Sequence, residues 1–512
     1  MMRLCGIISA LFAIQVLWAA EMTSERWSNG FRLIVRPVTA SGIVSADLLV
    51  DYSALDEPAE MLGIRQVLLY GMLNGSAQAN GDTIRRKLTA AGGELTGRVH
   101  QEMLEFTATM PADALPLGLA ALAEIVCRPS LSDESVAAGI RYAQRLLQRE
   151  IDGALGAAEV LSRYYLYSAH PFATGGIGMQ HTLEAITPGA VRAAYRAYVT
   201  PANTILAVVG RCTTENAQGQ ARTNFGLWSG MPKRARMRQA IAPLPASRLV
   251  LREMPVRTPC VMLTFPVCGA AHADYLPLRV LDVLLAGGTG SRLFRAIRDE
   301  QHLAYEVSTI FPAQVADSGF SLYALTRSDA LENTRAALIA ELARLQTDAV
   351  ADEELRRATA FMKGRYLLSH QYSAQYAFDL AWYEMAGLGA DYDRRLLAAI
   401  DGVTAADIQR VARTYFTRYY LVVVIPEIDP AGFTFDPPVR EPAGYGRALH
   451  AATRRDACAL PRRDLAYRSY PSSLIEVGLF NERTRWGQQQ QVLATTNVLS
   501  PFWAVSAISL AR

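Results

Sequence analysis

The side chains best suited to bind a metal ion or act as general bases are seven histidines, and their spacing forms no metal motif. No two of them are three to five residues apart, and none lies at a ligand spacing from a cysteine. Zinc sites are normally built from such pairs. The sequence therefore predicts no self-contained zinc site, and the histidines are residues 100, 170, 181, 272, 302, 370 and 450.

The cysteines are scattered and do not form a disulfide framework. Without the N-terminal segment discussed next, five remain, an odd number that is too small for a disulfide-rich domain. Cys260 and Cys268 flank the strand-like "VMLTFPV" and would be roughly 26 Å apart when extended, beyond disulfide reach. Buried thiols are therefore expected at positions 127, 212, 260, 268 and 458.

Composition describes an ordinary globular chain with an export signal. The net charge is +3 over 512 residues, which gives no reason to expect nucleic acid or an anionic membrane as a partner. Residues 1–20 carry one arginine, an apolar run and two alanines, which is typical of a cleavable signal peptide. An uncleaved anchor is the alternative, although the apolar run is short for one. The prediction is an exported protein, periplasmic or secreted, with no stable membrane insertion.

The elements that must position any site occur twice along the chain. Each half reads as strands, a buried helix, a strand, a second helix, long helices and a final strand. Two copies of one α+β domain are therefore predicted, at 21–228 and 249–428, joined by a basic, proline-marked linker at 229–248. The region 429–512 lacks any helix or strand period, which predicts disorder or an adventitious extension.

One predicted helix, Gly63–Leu73, is apolar nearly all round and so belongs inside a domain. It nevertheless carries Arg65, Gln66 and Tyr70, where a buried helix normally has aliphatic residues. A long helical stretch is also expected from Asp133 to about Leu166. The polar residues of the buried helix require a separate explanation.

The order "NGFRLIVRPV … ADLLVDYSALDEP … GIRQVLLYGMLNGS … AAGGELTG" resembles the first domain of the pitrilysin/insulinase family of metallopeptidases. The resemblance implies two homologous α+β domains, each a mixed sheet covered by helices on one face, forming half of a clam-shaped chamber. In that family the buried helix bears H-x-x-E-H, whose histidines bind zinc and whose glutamate is the general base. A third ligand, a glutamate, comes from a later helix.

Against that motif, the ligand and base positions of this chain are substituted. Gln66 replaces the first histidine, Leu69 replaces the base and Tyr70 replaces the second histidine, while Glu150 matches the late glutamate. One carboxylate cannot hold a catalytic zinc ion, which needs three protein ligands. Glu150 is then expected to be a surface or salt-bridged helix residue, the relic of a ligand, with no zinc or other cofactor in this chain.

The stretch "LAGGTGSRLFRAIRDEQHLAYEV" (Leu285–Val307) resembles a motif of the family's second domain. The resemblance implies that Arg298 and Tyr305 contact the substrate carbonyl and stabilise the developing oxyanion in a partner's active site. The alternative is structural retention, with a local ion pair and a core tyrosine. His170, in a loop, is expected to cap or pack a turn, and His302 to be a solvated neighbour of the motif.

Three hypotheses follow. The first is a zinc-free subunit of a heterodimeric metalloendopeptidase, inactive alone, which binds peptide substrate and supplies Arg298 and Tyr305 to a partner chain bearing H-x-x-E-H and zinc. The second is a pseudopeptidase that only binds a peptide or protein. The third is a self-sufficient peptidase with unusual ligands, which metal analysis of the pure chain would test.

Overall fold

The computed structural model describes residues 22–151, 153–168, 170–232 and 240–426. The expected signal peptide (1–20), the tail (429–512), Cys458 and His450 therefore lie outside the described residues, as does part of the linker. The described chain divides into two compact units. Unit 1 takes its described residues from 22–143, 185–232 and 367–396, and unit 2 takes them from 144–184, 240–366 and 397–426.

Unit 1 contains a mixed six-stranded sheet in the order β1-β2-β6-β3-β5-β4. Strands β2 and β6 are parallel and the other neighbours are antiparallel. β6 has the sequence TILAVVG and is buried throughout, as expected for a central strand rich in β-branched residues. The strands are β1 Thr23–Arg26, β2 Arg32–Pro37, β3 Ile43–Val50, β4 Glu94–Val99, β5 Leu104–Pro111 and β6 Thr204–Gly210.

The first half of the chain contributes eight α-helices to the described residues. Asn80, Thr187 and Thr213 cap three of them through side-chain oxygens. The long helix expected from Asp133 to about Leu166 is in fact two helices, because the first ends at Glu150 and the second begins at Ala154. The helices are α1 Ile64–Leu73, α2 Gly81–Ala90, α3 Leu115–Cys127, α4 Asp133–Glu150, α5 Ala154–Tyr167, α6 Gln180–Glu184, α7 Pro188–Tyr198 and α8 Thr214–Phe225.

Unit 2 contains a five-stranded sheet in the order β7-β11-β8-β10-β9. Strands β7 and β11 are parallel, and the other pairs are antiparallel. This order reproduces β2-β6-β3-β5-β4 of unit 1, so the internal repeat is present in the sheets. The strands are β7 Arg248–Met254, β8 Cys260–Val267, β9 Ala304–Ile310, β10 Ser318–Thr326 and β11 Tyr420–Pro426.

The second half of the chain adds α9 and a seven-residue π-helix, followed by five further α-helices. A capping box between Thr404 and Asp407 starts the last of these. None of the described helices is long and apolar enough to cross a bilayer. The helices are α9 Tyr275–Ala286, the π-helix Phe294–Glu300, α10 Leu331–Thr347, α11 Asp352–Ser369, α12 Ser373–Ala386, α13 Tyr392–Asp401 and α14 Ala405–Tyr415.

Each sheet is covered by a helix from the other half of the sequence. Helix α12 packs on β3 and β6 of unit 1, whereas α5 packs on β8 and β11 of unit 2. The expected boundaries 21–228 and 249–428 follow chain order, whereas the compact units exchange these two helices. The exchange gives each sheet a cover that its own half of the chain does not provide.

The expected two-domain α+β fold is confirmed, with one correction. In unit 2, Cys260 and Met262 face α5, whereas Phe265 points to the opposite face and contacts Phe416 after α14, with ring centroids 4.8 Å apart. Helices therefore pack on both faces of this sheet and not on one, because strand residues alternate between its faces.

Candidate functional site

Helix α1 of unit 1 carries Gln66, Leu69 and Tyr70 as expected, and two of the three are buried. Gln66 is 7% exposed and Leu69 is 3% exposed. Tyr70 is half-buried, and its ring lies 5.1 Å from that of Tyr142 on α4. These side chains offer an amide, an alkyl group and a phenol whose ring is tilted against that of Tyr142.

The start of α1 is held by a buried ion pair. The Arg65 side chain is fully buried, and its Nε donates to Glu57 Oε1 over 2.8 Å. The Glu57 carboxylate also accepts from the backbone N–H groups of Gly63 (2.9 Å) and Arg65 (3.3 Å). A carboxylate in this place satisfies N–H groups that the first helical turn leaves free and complements the helix dipole.

A second nitrogen of Arg65, Nη1, ties α1 to two loops, whereas Nη2 has no hydrogen-bond partner among the described residues. One guanidinium nitrogen donates to the carbonyl oxygens of Tyr52 (3.1 Å) and His100 (2.6 Å). Gly63, immediately before the helix, has φ +96°, a conformation that glycine adopts without strain. Arg65 is therefore an architectural residue that locks the entry of the helix.

The second candidate region is the π-helix of unit 2, which follows a glycine-rich turn. Gly288 has φ +134° and its carbonyl accepts from the Ser291 N–H over 3.0 Å, which reverses the chain after α9. A seven-residue π-helix is unusual, and π-type turns occur frequently at functional sites. The π-helix ends at Glu300, and His302, which has φ +53°, lies in the short connection to strand β9.

Three arginines recur along this segment, and their partners differ. Arg292 makes a bidentate ion pair with Glu354 on α11, with distances of 2.7 and 2.8 Å. Arg295 lies 3.5 Å from Glu300. Arg298 forms no ion pair with any carboxylate of the described residues, and its guanidinium lies 4.8 Å from the ring centroid of Phe294. Arg298 is thus the arginine of this segment that stays available to a ligand.

Arg298 and Tyr305 line one pocket of about 530 Å³. The pocket lies at the end of the sheet where β8 and β9 begin and β10 ends. Thr326 holds these segments together, because its N–H donates to the Pro259 carbonyl (3.1 Å) and its hydroxyl to the Leu303 carbonyl (2.6 Å). The lining residues are Arg257, Thr258, Pro259, Arg298, His302, Leu303, Ala304, Tyr305, Thr326, Arg327 and Ser328.

Tyr305 presents its phenol to this pocket from the edge strand β9. The residue is 57% exposed, the opposite of a core tyrosine. Partial desolvation, with a smaller effect of the Glu306 charge, raises the pKa of Tyr305 above its ordinary value. The hydroxyl therefore stays protonated at neutral pH and can donate a hydrogen bond.

Comparison with known proteins identifies the family. The model described as "Insulinase (Peptidase family M16)" matches residues 37–152, and "Peptidase M16 inactive domain" matches residues 185–362. The chain belongs to the insulinase family. Zinc proteases of Mycobacterium tuberculosis and Bacillus subtilis are 23% and 21% identical to it, over 80% and 78% of this chain and 94% and 96% of theirs.

Solved structures show the same fold. A protease from Helicobacter pylori has a TM-score of 0.72 at 19% identity, over 80% of this chain and 100% of its own. A peptidase M16 inactive domain from Pseudomonas fluorescens has a TM-score of 0.73 at 17% identity, over 80% and 99%. The first half of the periplasmic protease PqqL from Escherichia coli has a TM-score of 0.65 at 15% identity, over 80% and 93%.

The donor set of α1 does not fit the zinc ion of the insulinase family. Gln66, Leu69 and Tyr70 bring no imidazole and no carboxylate to the helix that bears H-x-x-E-H in active members. Within the described part of the chain, no cluster of three or more His, Cys, Asp or Glu side chains could hold a metal ion. Residues 185–362 also match an inactive domain of the family. Together with the missing ligand types on α1, this match indicates a chain of the non-catalytic type.

The other residues singled out in the sequence have structural surroundings. Glu150 accepts from Arg163 over 2.9 Å within unit 2. His170 caps a short turn, since its Nδ1 accepts from the Phe172 N–H over 3.1 Å. His302 is exposed at the pocket rim.

The described cysteines are free thiols, and none is exposed. Cys260 and Cys268 are buried as expected, whereas Cys127 and Cys212 are half-buried. Burial raises the pKa of Cys127 to about 12 and that of Cys212 to about 11. Protonated thiols of this kind are poor nucleophiles.

Sequence reasoning missed the contribution of Glu57 and of the arginines around the pocket. Glu57 lies in a loop eight residues before Arg65, and only the folded loop brings the two together. Arg257 and Arg327 come from segments far from Arg298 in sequence. The available signal was an arginine within an otherwise apolar helix, which requires a buried partner.

Proposed function

We propose that this chain is the zinc-free subunit of a heterodimeric insulinase-family endopeptidase. It binds an extended peptide and supplies Arg298 and Tyr305 to the active site of a partner chain of the same family. The observation that carries the proposal is the shared pocket of Arg298 and Tyr305, in which the Arg298 guanidinium has no carboxylate partner among the described residues.

The chemistry of the pair is electrostatic. A guanidinium and a protonated phenol both donate hydrogen bonds, and both would point at the carbonyl oxygen of the scissile peptide bond. The negative charge on that oxygen grows as the carbonyl carbon becomes tetrahedral, so donors already in place lower the barrier without reorganising. The pair therefore assists a reaction whose attacking group belongs to the partner.

The proposal includes the cofactor, the partner and the compartment. Because α1 lacks the ligand types, zinc belongs to the partner's H-x-x-E-H helix and the pure subunit contains none. Residues 1–20 have the layout of a signal peptide, so both chains act after export. The fold shared with a periplasmic protease of Escherichia coli is compatible with that compartment.

Co-expression with an H-x-x-E-H chain encoded nearby tests the proposal. Each chain alone should be inactive toward a peptide mixture, and the co-purified complex should cleave it. Arg298→Ala should lower the turnover of the complex by roughly 10²–10³-fold, the usual loss when an oxyanion donor is removed. Gel filtration should show the same complex with and without the substitution.

Arg295→Ala is the matched control, since Arg295 lies three residues earlier, is exposed and does not line the pocket. This variant should keep the turnover of the unmodified complex. An Arg298→Ala complex that cleaves at the unmodified rate would refute the catalytic contribution.

A peptide-binding pseudopeptidase is the alternative function. Its support is the position of the pocket beside β9, whose only strand neighbour among the described residues is β10. An extended peptide could pair with that edge and be held without being cleaved. The two functions differ in whether any H-x-x-E-H chain co-purifies and gains activity in the mixture.

A further inference from the structure

The pocket that contains Arg298 is strongly cationic, which says what kind of peptide it receives. Its lining includes three arginines and one histidine, and no aspartate or glutamate belongs to it. Other arginines of unit 2 are neutralised locally, as in the pairs Arg335–Glu332 and Arg344–Glu341. An accumulation of cations without acids in a concave site attracts anions, because the low-dielectric walls focus the field.

The three arginines are not equivalent. Arg298 and Arg257 have no carboxylate partner among the described residues, and Arg257 is exposed in the loop before β8. Arg327 is paired with Asp329, at 3.0 and 3.3 Å, but both side chains are largely exposed, so the pair is weak and can be opened by a ligand. Two uncompensated guanidinium groups and one displaceable group therefore surround the pocket.

We infer that this pocket binds a carboxylate of the peptide substrate, so that the subunit selects acidic peptides. Guanidinium groups match the planar geometry of a carboxylate and can bind it bidentately. Thr258 and Ser328 add hydroxyl groups to the lining. The carboxylate can come from an Asp or Glu side chain or from the peptide C-terminus, since both present the same two oxygens.

The residues that line the pocket contact different parts of the peptide. This inference rests on the proposed function for the assignment of Arg298 and Tyr305 to the peptide carbonyl. Arg257 and Arg327 come from the segments at the start of β8 and the end of β10, so they are free to contact a side chain of the same peptide. Specificity then depends on Arg257 and Arg327, whereas turnover depends on Arg298.

Binding to the purified chain alone tests the inference without any partner. The probes are acetylated, amidated peptides of Ala and Val that carry one central Glu, Gln or Lys, and the Gln peptide with a free C-terminus. Calorimetry at low ionic strength should show the Glu peptide binding roughly 5- to 10-fold more tightly than the Gln peptide, as expected for a charge-assisted hydrogen bond in a partly solvated site. The Lys peptide should bind most weakly, and added salt should reduce the preference.

Variants then locate the effect. Arg257→Ala and Arg327→Ala should each reduce the preference for Glu over Gln several-fold without changing the affinity for the Gln peptide. Arg356→Ala is the matched control, because Arg356 is exposed on α11 of the same unit and outside the pocket. The free C-terminus arm tells the two sources apart: tighter binding there assigns the carboxylate to the chain end, and tighter binding of the Glu peptide assigns it to a side chain.

Equal affinity of all four peptides, or no binding of any, would overturn the inference. So would a preference for Glu that survives both Arg257→Ala and Arg327→Ala. A different result would refute the proposed function, namely an unchanged turnover of the Arg298→Ala complex. That result would not affect the binding preference for a carboxylate.

Discussion

Helix α1 of unit 1, and the segment of unit 2 that runs from the π-helix into strand β9, each carry an arginine and a tyrosine at the positions where function was sought. Arg65 is fully buried against Glu57, whereas Arg298 lines an open pocket without a carboxylate partner among the described residues. Tyr70 is half-buried against Tyr142, whereas Tyr305 is exposed. The same two residue types thus stand in opposite surroundings.

The difference shows that residue type alone does not decide whether a side chain is architectural or available for chemistry. A guanidinium that is buried and paired with a carboxylate, as that of Arg65 is with Glu57, contributes to stability and is not accessible to a ligand. A solvated guanidinium with no counter-charge contributes little to stability. The chain therefore keeps the architecture of the peptidase fold in unit 1 and its free donors in unit 2.

The largest expected effect on stability comes from substituting each arginine in turn. Arg65→Met leaves the Glu57 carboxylate buried without its cation and should lower the free energy of unfolding by about 3–5 kcal/mol. Arg298→Met should change it by less than about 0.5 kcal/mol, as for other solvated positions. Urea unfolding followed by circular dichroism measures both. Equal destabilisation by the two variants would refute the contrast.

Two buried glutamates, Glu57 of unit 1 and Glu159 of unit 2, also differ in their surroundings. Glu57 has the Arg65 cation, whereas Glu159 on α5 is buried with no hydrogen-bond partner for its Oε1 among the described residues. Desolvation raises the pKa of Glu159 to about 8, although the positive charge of Arg163 acts in the opposite direction. Glu159 is therefore protonated in the folded protein at neutral pH.

A raised acid pKa means that stability falls as pH rises. Between about 4.5, where the unfolded chain ionises, and about 8, the folded protein binds one proton more than the unfolded chain. Glu159→Gln removes the group that takes up this proton. The free energy of unfolding of the variant, relative to that of the unmodified chain, should therefore rise by about 2–3 kcal/mol from pH 5 to pH 7. Unfolding free energies of both proteins at each pH measure the difference.

Glu353→Gln provides the control for this titration. Glu353 is exposed in the first turn of α11, so its substitution leaves the buried Glu159 carboxyl and its surroundings unchanged. If Glu159→Gln behaves like Glu353→Gln, the Glu159 carboxyl is ionised in the folded protein and the contrast with Glu57 fails.

Sequence patterns were sufficient for the elements whose signal is local. The apolar run of α1, the β-branched strands β6 and β11, and the repeated order of elements are all written in short segments. The break between α4 and α5 and the exchange of α5 and α12 were not predicted. They depend on packing between segments distant in sequence, which periodicity does not report.

The two candidate sites also contain some features that the sequence predicts and others that depend on the fold. The positions of Gln66, Leu69 and Tyr70 follow from the family motif, as does the pairing of Arg298 with Tyr305. The burial of Arg65 by Glu57, and the convergence of Arg257 and Arg327 on the Arg298 pocket, require the fold. Sheet pairing sets this convergence, because β8, β9 and β10 meet at one end of the sheet.

The smallest expected effect on stability comes from substituting the two tyrosines, Tyr70 and Tyr305. Tyr70→Ala removes the ring contact with Tyr142 and should lower the free energy of unfolding by about 1 kcal/mol, whereas Tyr305→Ala should change it by less than about 0.5 kcal/mol. Tyr70→Phe keeps the ring and should remain close to the unmodified protein. The same urea series measures all three. A cost for Tyr305→Ala as large as that for Tyr70→Ala would mean that the Tyr305 ring is part of the core, and its phenol would then not be free to meet a substrate.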